Sequence, residues 1–281
     1  MPPFLMAGAR FIVAGAVLAT ILIAMGRFRI NRLQLWDNML IGGLLLLGGN
    51  GLVSWAQQKV PSGITTLILS LNPLMVVLAD WFVLLVFKDR ICGSKPSGLT
   101  FLGLGLGFLG LSVLIWPSLI ATDETHLDGY RVIALVLACL SWCIGSLYTR
   151  YARNPADPFS GAAVQMLLGG MWLILVSLFL GEPFHLDLSA ISWNSKMAWI
   201  YLMLVGSLVT FTTFIWLMKH VSPSLVEPYS YVNPVVAVFL GWFFLNETVN
   251  PRIFTAGSVV ILGVVTISFA RIRKSKKVTS G

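Results

Sequence analysis

Residues 222–245 read SPSLVEPYSYVNPVVAVFLGWFFL, and a related copy lies 161 positions earlier, where residues 61–84 read PSGITTLILSLNPLMVVLADWFVL. An Asn-Pro pair stands at the same place inside both apolar runs. Proline lacks a backbone N–H and its ring clashes with the preceding turn, so it breaks a helix. Each copy is therefore predicted to be a helix interrupted at its middle. The pairs are Asn72-Pro73 and Asn233-Pro234.

The composition indicates that these helices lie in a membrane. The chain of 281 residues is 57% hydrophobic and 11% charged, with a mean hydropathy of +0.86. Soluble domains carry about 25% charged residues. The sequence therefore predicts an all-α integral membrane protein in contact with the lipid bilayer, and it leaves no room for a soluble domain.

Nine apolar runs are each long enough, at about 20 residues per span, to cross a bilayer. The sequence thus predicts nine transmembrane helices. They cover residues 3–25, 37–57, 62–87, 98–116, 131–150, 159–180, 197–217, 223–245 and 252–270.

The positive charges indicate the orientation of these helices. If the basic tail at residues 271–277 is cytoplasmic, alternate loops lie inside; nine Lys and Arg fall in those loops and five in the tail, so fourteen of the nineteen lie inside. This bias is the positive-inside rule. It predicts a multi-pass protein of the bacterial inner (plasma) membrane with a cytoplasmic C-terminus. It also accounts for the net charge of +8 without a nucleic-acid partner.

The duplication extends to whole halves of the chain. Residues 3–116 match 158–270 in outline, whereas 131–150 has no counterpart in the first half. We therefore expect a ten-helix, five-plus-five design whose first helix is missing here, with repeats at 1–116 and 129–281. Five helices between equivalent positions reverse their direction across the membrane. The predicted fold is an inverted-repeat helical bundle, which is typical of secondary transporters.

The two Asn-Pro pairs are the first candidates for a substrate site. At 1.5 Å per residue, Asn72 and Asn233 lie about 15 Å deep, near the centre of the bilayer. Pro73 and Pro234 free a carbonyl one turn earlier, so the pairs are predicted to supply substrate-binding groups and hinges at the midplane. The alternative is a structural kink that the asparagines repair.

Arg10 is the deepest charge, about 10 Å from the outer face by helix rise. A buried arginine usually faces a cavity or a partner, and we interpret Arg10 as a fork for an anionic group of the substrate. The alternative is that Arg10 reaches the outer interface or holds helix ends together.

Two carboxylates are candidates for proton coupling. Glu227 and Asp80 fall within predicted spans, where partial desolvation favours protonation. The alternatives are an interfacial position for Asp80 and a structural hydrogen bond for Glu227.

Four aromatic residues complete the predicted substrate site, with membrane-interface anchoring as the alternative. No cofactor motif, metal-ligand cluster or catalytic constellation appears, so we expect neither a cofactor nor an enzyme activity. The four residues are Trp55, Trp216, Tyr229 and Tyr231.

The order of these motifs resembles the EamA-like branch of the drug/metabolite transporter superfamily. The residues on which the resemblance rests are Pro3, Arg10-Phe11, both Asn-Pro pairs and Phe243–Glu247. It implies ten helices, a central cavity between the halves, and export of amino acids or other small metabolites from bacteria.

The leading hypothesis is therefore an exporter of small metabolites, amino acids or related compounds or drugs, that works by alternating access and is coupled to protons through the two carboxylates. A non-transporting membrane scaffold or partner subunit is the alternative. The sequence leaves the substrate, the direction of transport, proton coupling and the oligomeric state open.

Overall fold

A computed structural model of the chain is all-α across the residues that it describes. These are residues 2–60, 65, 68–86, 96–120, 129–153, 155, 157–185, 191–221, 226, 229–230, 232, 236, 255, 257–263 and 265–267. No strand occurs among them.

Eight longer helices follow one another along the described residues, and a short 3₁₀-helix, Glu182–His185, lies between the sixth and the seventh. Five of them, α1, α2, α5, α6 and α7, are long and apolar enough to cross a membrane. Predicted spans 3–25, 37–57, 131–150, 159–180 and 197–217 correspond to these five. The helices are α1 (Pro3–Ala24), α2 (Arg32–Ala56), α3 (Asn72–Val86), α4 (Gly98–Ile120), α5 (Gly129–Tyr151), α6 (Pro158–Phe179), α7 (Trp193–His220) and α8 (residues 257–263 and 265–267).

The chain packs as two compact units, each drawing on distant parts of the sequence. The first unit comprises Met1–Gln58 and Ile133–Val221, and the second comprises Lys59–Val132 and Ser222–Gly281. The first unit contains α1, α2, α6 and α7 with most of α5, and the second contains α3, α4 and α8. The division into sequence repeats at 1–116 and 129–281 stays a prediction.

Helices α1 and α6 form the centre of the first unit through contacts between small residues. A Cβ atom added to Gly8 would lie 3.0 Å from the carbonyl oxygen of Gly170, and one added to Gly15 would lie 3.0 Å from that of Ala163. Side chains at these positions would hold the backbones apart. Small residues that allow such an approach are typical of membrane helix pairs, where dispersion contacts drive association.

The amino termini of α1 and α6 are capped by carboxylates from different parts of the chain. Both helices have proline at their first position, Pro3 and Pro158, where its missing N–H costs no hydrogen bond. Asp157 caps α6 by accepting a 3.1 Å hydrogen bond from the N–H of Phe159. Helix α1 has no such residue, and Glu182, beyond the end of α6, supplies the carboxylate instead.

The Glu182 carboxylate accepts hydrogen bonds from the N–H of Phe4, at 3.4 Å, and of Leu5, at 2.8 Å. Ser177 donates to the same carboxylate at 2.8 Å. A negative charge at this end of α1 satisfies free N–H groups and complements the helix dipole. Glu182 therefore joins the end of α6 to the beginning of α1.

Helices α2 and α7 each contain a π-helical segment. In α2 it covers Gly43–Gly51, and in α7 it covers Leu202–Phe211. Such i→i+5 segments are rare and frequently occur at functional sites. Where α5 crosses the first segment, the Ser141 hydroxyl donates to the carbonyl of Leu44 at 2.8 Å.

Helices α4 and α8 approach each other through glycine in the second unit. A Cβ atom on Gly103 would lie 2.7 Å from the carbonyl oxygen of Gly263, and a Cβ atom on Gly263 would lie 2.7 Å from that of Gly103. Val77 of α3 packs in the same apolar cluster as Leu104 and Val260. The second unit therefore has its own core.

Candidate functional site

Arg10 is buried in the first unit, with 9% of its surface exposed. Its guanidinium lies over the ring of Phe11, 4.6 Å from the ring centroid. Its Nε atom is buried without a hydrogen-bond partner, and no described carboxylate lies within 4.0 Å of the guanidinium. Buried charges are normally paired, because the interior solvates them poorly. Arg10 therefore has the environment expected of a residue that receives an anion.

A row of aromatic rings extends from Arg10 across the first unit. Phe11 and Phe211 meet edge to face with centroids 6.2 Å apart, and Phe211 stacks on Phe214 at 6.4 Å. Trp142 lies 5.2 Å from Phe214. Helices α1, α7 and α5 thus contribute one connected apolar and aromatic surface beside a positive charge.

The predicted tryptophans lie apart from this row as far as the described contacts show. Trp55 is half-buried in the last turn of α2. Trp216 is 39% exposed and stacks on His220 with centroids 4.4 Å apart. His220 also lies 2.8 Å from the carbonyl oxygen of Trp216 through Nδ1. Exposure of this kind is compatible with an interfacial position as well as with substrate contact.

In the second unit, Asn72 and Asp80 share one face of α3. They stand eight residues apart with Val76 between them, and successive side chains four apart lie on the same side of a helix. All three are buried: Asn72 has 7% of its surface exposed, Val76 has 0% and Asp80 has 2%. The buried face of α3 therefore combines an amide and a carboxylate. The interfacial interpretation of Asp80 predicts greater exposure than its 2%.

The chain turns immediately before Asn72. Residues 65, 68 and 69 are helical, Ser70 and Leu71 form a turn, and α3 then begins at Asn72. The N–H of Leu71 bonds the carbonyl of Ile68 at 3.1 Å. Pro73 follows as the second residue of α3, where a missing N–H is tolerated. Its role as a hinge stays a prediction.

The other predicted residues differ in what the structure describes. Tyr229 is 36% exposed. Four residues of the second copy lie outside the described residues. They are Glu227, Tyr231, Asn233 and Pro234.

Sequence reasoning missed a buried amide pair in the first unit. Gln165 of α6 donates through Nε2 to Oδ1 of Asn38 in α2 at 2.7 Å, and both side chains are 0% exposed. The Asn38 amide donates in turn to the carbonyl of Gln34 at 2.7 Å. The partners are 127 residues apart, so no local pattern could have connected them.

A polar network lies at one end of the first unit, and sequence reasoning did not predict it either. Asp37 accepts hydrogen bonds from the Tyr148 hydroxyl and from the N–H of Arg153, both at 2.9 Å. Arg27 pairs with Asp157 at 3.1 Å. The Asp37 contacts join α2 to the end of α5, and the Arg27–Asp157 pair joins the segment after α1 to the beginning of α6. In the predicted topology this end faces the cytoplasm.

The described residues contain no group of three His, Cys, Asp or Glu side chains placed to hold a metal ion.

Known sequences and structures supply an independent comparison. The sequence pattern of the EamA-like transporter family matches residues 1–116 and 130–269. The inner membrane transporter YedA of Escherichia coli K12, whose name describes it as uncharacterized, is 33% identical over 274 residues, which cover 96% of this chain and 83% of YedA. The transporter YoaV of Bacillus subtilis is 24% identical, covering 96% of this chain and 89% of YoaV. A crystal structure at 20% identity shares the fold, with a TM-score of 0.76 over 96% of this chain and 90% of that one.

Proposed function

Because the chain belongs to the EamA-like transporter family, we propose that it is a secondary transporter that exports small metabolites across the bacterial inner membrane by alternating access. The family and the five membrane-length helices support a multi-pass membrane transporter. YedA, the relative at 33% identity, is named as an inner membrane transporter. The resemblance at the level of motifs supports export.

One observation supports the inverted repeat most directly. Between α1 and α6 the repeat equates positions 155 apart, so Gly8 corresponds to Ala163 and Gly15 corresponds to Gly170. Gly8 contacts Gly170, and Gly15 contacts Ala163. Exchanging every residue for its counterpart converts the first contact into the second. This is the behaviour expected of two helices related by a two-fold axis in the membrane plane.

A second pair of contacts follows the same exchange. Asn38 of α2 corresponds to Trp199 of α7, and Met6 of α1 corresponds to Gly161 of α6. A Cβ atom on Gly161 would lie 3.2 Å from Asn38 Oδ1, and Trp199 donates through Nε1 to the carbonyl of Met6 at 3.2 Å. The contact of α2 with α6 thus has its counterpart in that of α7 with α1.

The π-helical segments of α2 and α7 also fall at related places. Shifted by 161 positions, residues 43–51 become 204–212, which overlaps Leu202–Phe211. We propose that the two segments are equivalent flexible points of an inverted, five-plus-five repeat. A break in the regular ladder is a natural place for a helix to bend.

The proposed substrate contacts fall into one set for each unit. In the first unit the proposal rests on Arg10, with Trp55 and Trp216 as further candidates. In the second it rests on the buried Asn72, on Tyr229 and on the hinge at Pro73. Asn233 and Pro234 are proposed from the repeat, and Tyr231 is proposed from its position just before Asn233.

Proton coupling is proposed through the carboxylates of Asp80 and Glu227. Burial of Asp80 on α3 supports a group that exchanges a proton rather than one that remains in water. If this is right, Asp80→Asn removes the dependence of transport on a pH gradient while substrate exchange at equal pH persists.

The test is flux through purified protein in liposomes, measured with a metabolite panel with and without a pH gradient. We expect saturable uptake or release for at least one metabolite, and loss of this flux in the Asn72→Leu/Asn233→Leu double variant with insertion unchanged. Normal flux in the double variant would contradict the assignment of the asparagines. Absence of flux across the panel, together with a stable complex with another membrane protein, would favour a scaffold instead.

A further inference from the structure

Two buried hydroxyls of α7 lie at its π-helical segment, Ser207 inside Leu202–Phe211 and Thr212 immediately after it. Ser207 is 0% exposed and Thr212 is 8% exposed, and neither side-chain oxygen has a hydrogen-bond partner. A buried hydroxyl without a partner costs free energy. Such groups in a native structure call for an explanation, and a ligand is one.

Four hydroxyls in regular helices are satisfied by their own backbone. Each donates to the carbonyl four residues earlier, the usual bond for serine and threonine in a helix. The four examples are Thr20 to Ala16 and Ser112 to Phe108, both at 2.8 Å, and Thr149 to Gly145 and Thr266 to Leu262, both at 2.7 Å. Neither the Ser207 nor the Thr212 hydroxyl makes this bond.

Ser207 and Thr212 point to one side of α7. They are five residues apart, and i→i+5 bonding places residues at this spacing on successive turns. Phe211, between them in sequence, is also buried, at 5% exposure. The unsatisfied hydroxyls therefore lie on the packed side of the helix.

Helix α7 packs along α1, the helix that carries Arg10. Two contacts fix the register of the helices: Trp199 bonds the carbonyl of Met6 at 3.2 Å, and Phe211 meets Phe11 at 6.2 Å. Ser207 falls between the two contacts on α7. Arg10 falls between them on α1, beside Phe11.

We infer that Arg10, Ser207 and Thr212 form a binding site for a carboxylate group. This inference rests on the proposed transport function and specifies the head group of the substrate. A guanidinium offers a planar pair of donors that matches a carboxylate, and the two hydroxyls supply further donors to its oxygens. The carboxylate oxygens of the ligand then accept hydrogen bonds from all three buried polar groups.

The charge of the site favours a carboxylate over a phosphate. Arg10 supplies one positive charge, and neither hydroxyl adds another. A singly charged carboxylate is neutralised by this set, whereas a doubly charged phosphate would bring an uncompensated charge into a buried site. The rings of Phe11 and Phe211 border the site, so the remainder of the ligand is apolar.

The test compares three probes that share a phenyl ring: benzoate, its neutral counterpart benzamide, and phenylphosphonate. Binding is measured on the full chain in detergent from the rise in unfolding temperature with probe concentration, which reports affinity for the folded state. We expect benzoate to bind more tightly than the other two. In Ser207→Ala/Thr212→Val its dissociation constant should rise at least about tenfold, because bonds to a charged group are lost.

The matched control is Thr149→Val, which removes a buried hydroxyl that already bonds its own helix and should leave benzoate binding unchanged. Benzoate binding that is unaltered in the double variant would overturn the inference, as would equal binding of benzamide or no binding of benzoate by the wild type. The measurement requires no flux. Loss of binding in the double variant supports the site even if liposome assays defeat the transport proposal.

Discussion

Arg10 is the residue of the first unit on which the proposed substrate site depends. It is buried, it lies over Phe11, and no described carboxylate is close enough to pair with it. Its counterpart in the repeat is Gln165, a neutral residue that is also buried and hydrogen-bonded to Asn38. One scaffold position therefore holds a charge in α1 and an amide in α6, which indicates that the charge serves a purpose other than packing.

This comparison suggests a substitution that preserves the fold. Arg10→Gln places in α1 the residue that α6 accommodates at the equivalent position. We expect normal insertion and thermal stability, with flux of carboxylate-bearing substrates reduced at least about tenfold, since a bond to a charged group contributes about 1.5–3 kcal/mol. Liposome flux measures the effect, and Arg10→Lys, which keeps the charge but loses the fork, should retain part of it. Wild-type flux in Arg10→Gln would remove Arg10 from the site.

At this scale the sequence identified isolated charges and amides inside apolar helices, because such residues are rare there. Arg10, Asn72 and Asp80 could be singled out in this way. Ser207 and Thr212 could not, since hydroxyls in a membrane helix normally bond their own backbone. Glu182 was missed because it follows the end of a span, where a carboxylate is ordinary, and its contact with α1 is 177 residues distant.

At the scale of elements, the α1–α6 pair depends on contacts that leave no space for larger side chains. The Cβ positions of Gly8 and Gly170 meet backbone across the pair. Each glycine lacks a side chain that could adjust, so a larger residue must separate the helices. The amino-terminal cap of α1 depends on the same pair, because Glu182 follows α6 closely.

We therefore expect Gly8→Leu to lower the stability of the protein. Overpacking of a tight contact costs typically about 1–3 kcal/mol, and separating α1 from α6 should also weaken the Glu182 cap. The matched control is Gly105→Leu in α4, because a Cβ atom there meets nothing within 4 Å. Thermal unfolding in detergent checks both. Equal unfolding temperatures for the two variants would show that the α1–α6 contact is not a determinant of stability.

Helix positions were predictable from apolar runs of membrane length, and the five membrane-length helices begin and end within several residues of the predicted spans. The π-helical segments were not predictable. They lie in runs such as GLLLLGGNG and LMLVGSLVTF, where nearly every residue is apolar and no periodicity distinguishes one ladder from another. The first segment is contacted by a residue of another helix, since the Ser141 hydroxyl of α5 donates to the carbonyl of Leu44, and such a long-range contact cannot be read from the local sequence.

At the scale of the whole molecule, the proposed mechanism of transport depends on two halves inserted in opposite directions. Charge bias and the spacing of the copies led to this prediction. The exchanged contacts of Gly8, Gly15, Ala163 and Gly170 support it within the first unit. The second copy of the Asn-Pro motif lies outside the described residues, so the repeat as a whole needs a test in the membrane.

Labelling of single cysteines provides that test. With Cys92, Cys139 and Cys143 replaced, Lys59→Cys places a thiol just after α2 and Lys219→Cys places one in the last turn of α7, at two residues that are exposed. A membrane-impermeant maleimide applied to intact cells should modify position 59 from outside. It should modify position 219 only after the membrane is permeabilised. Modification of both positions from the same side would contradict the inverted repeat and, with it, the proposed mechanism of transport.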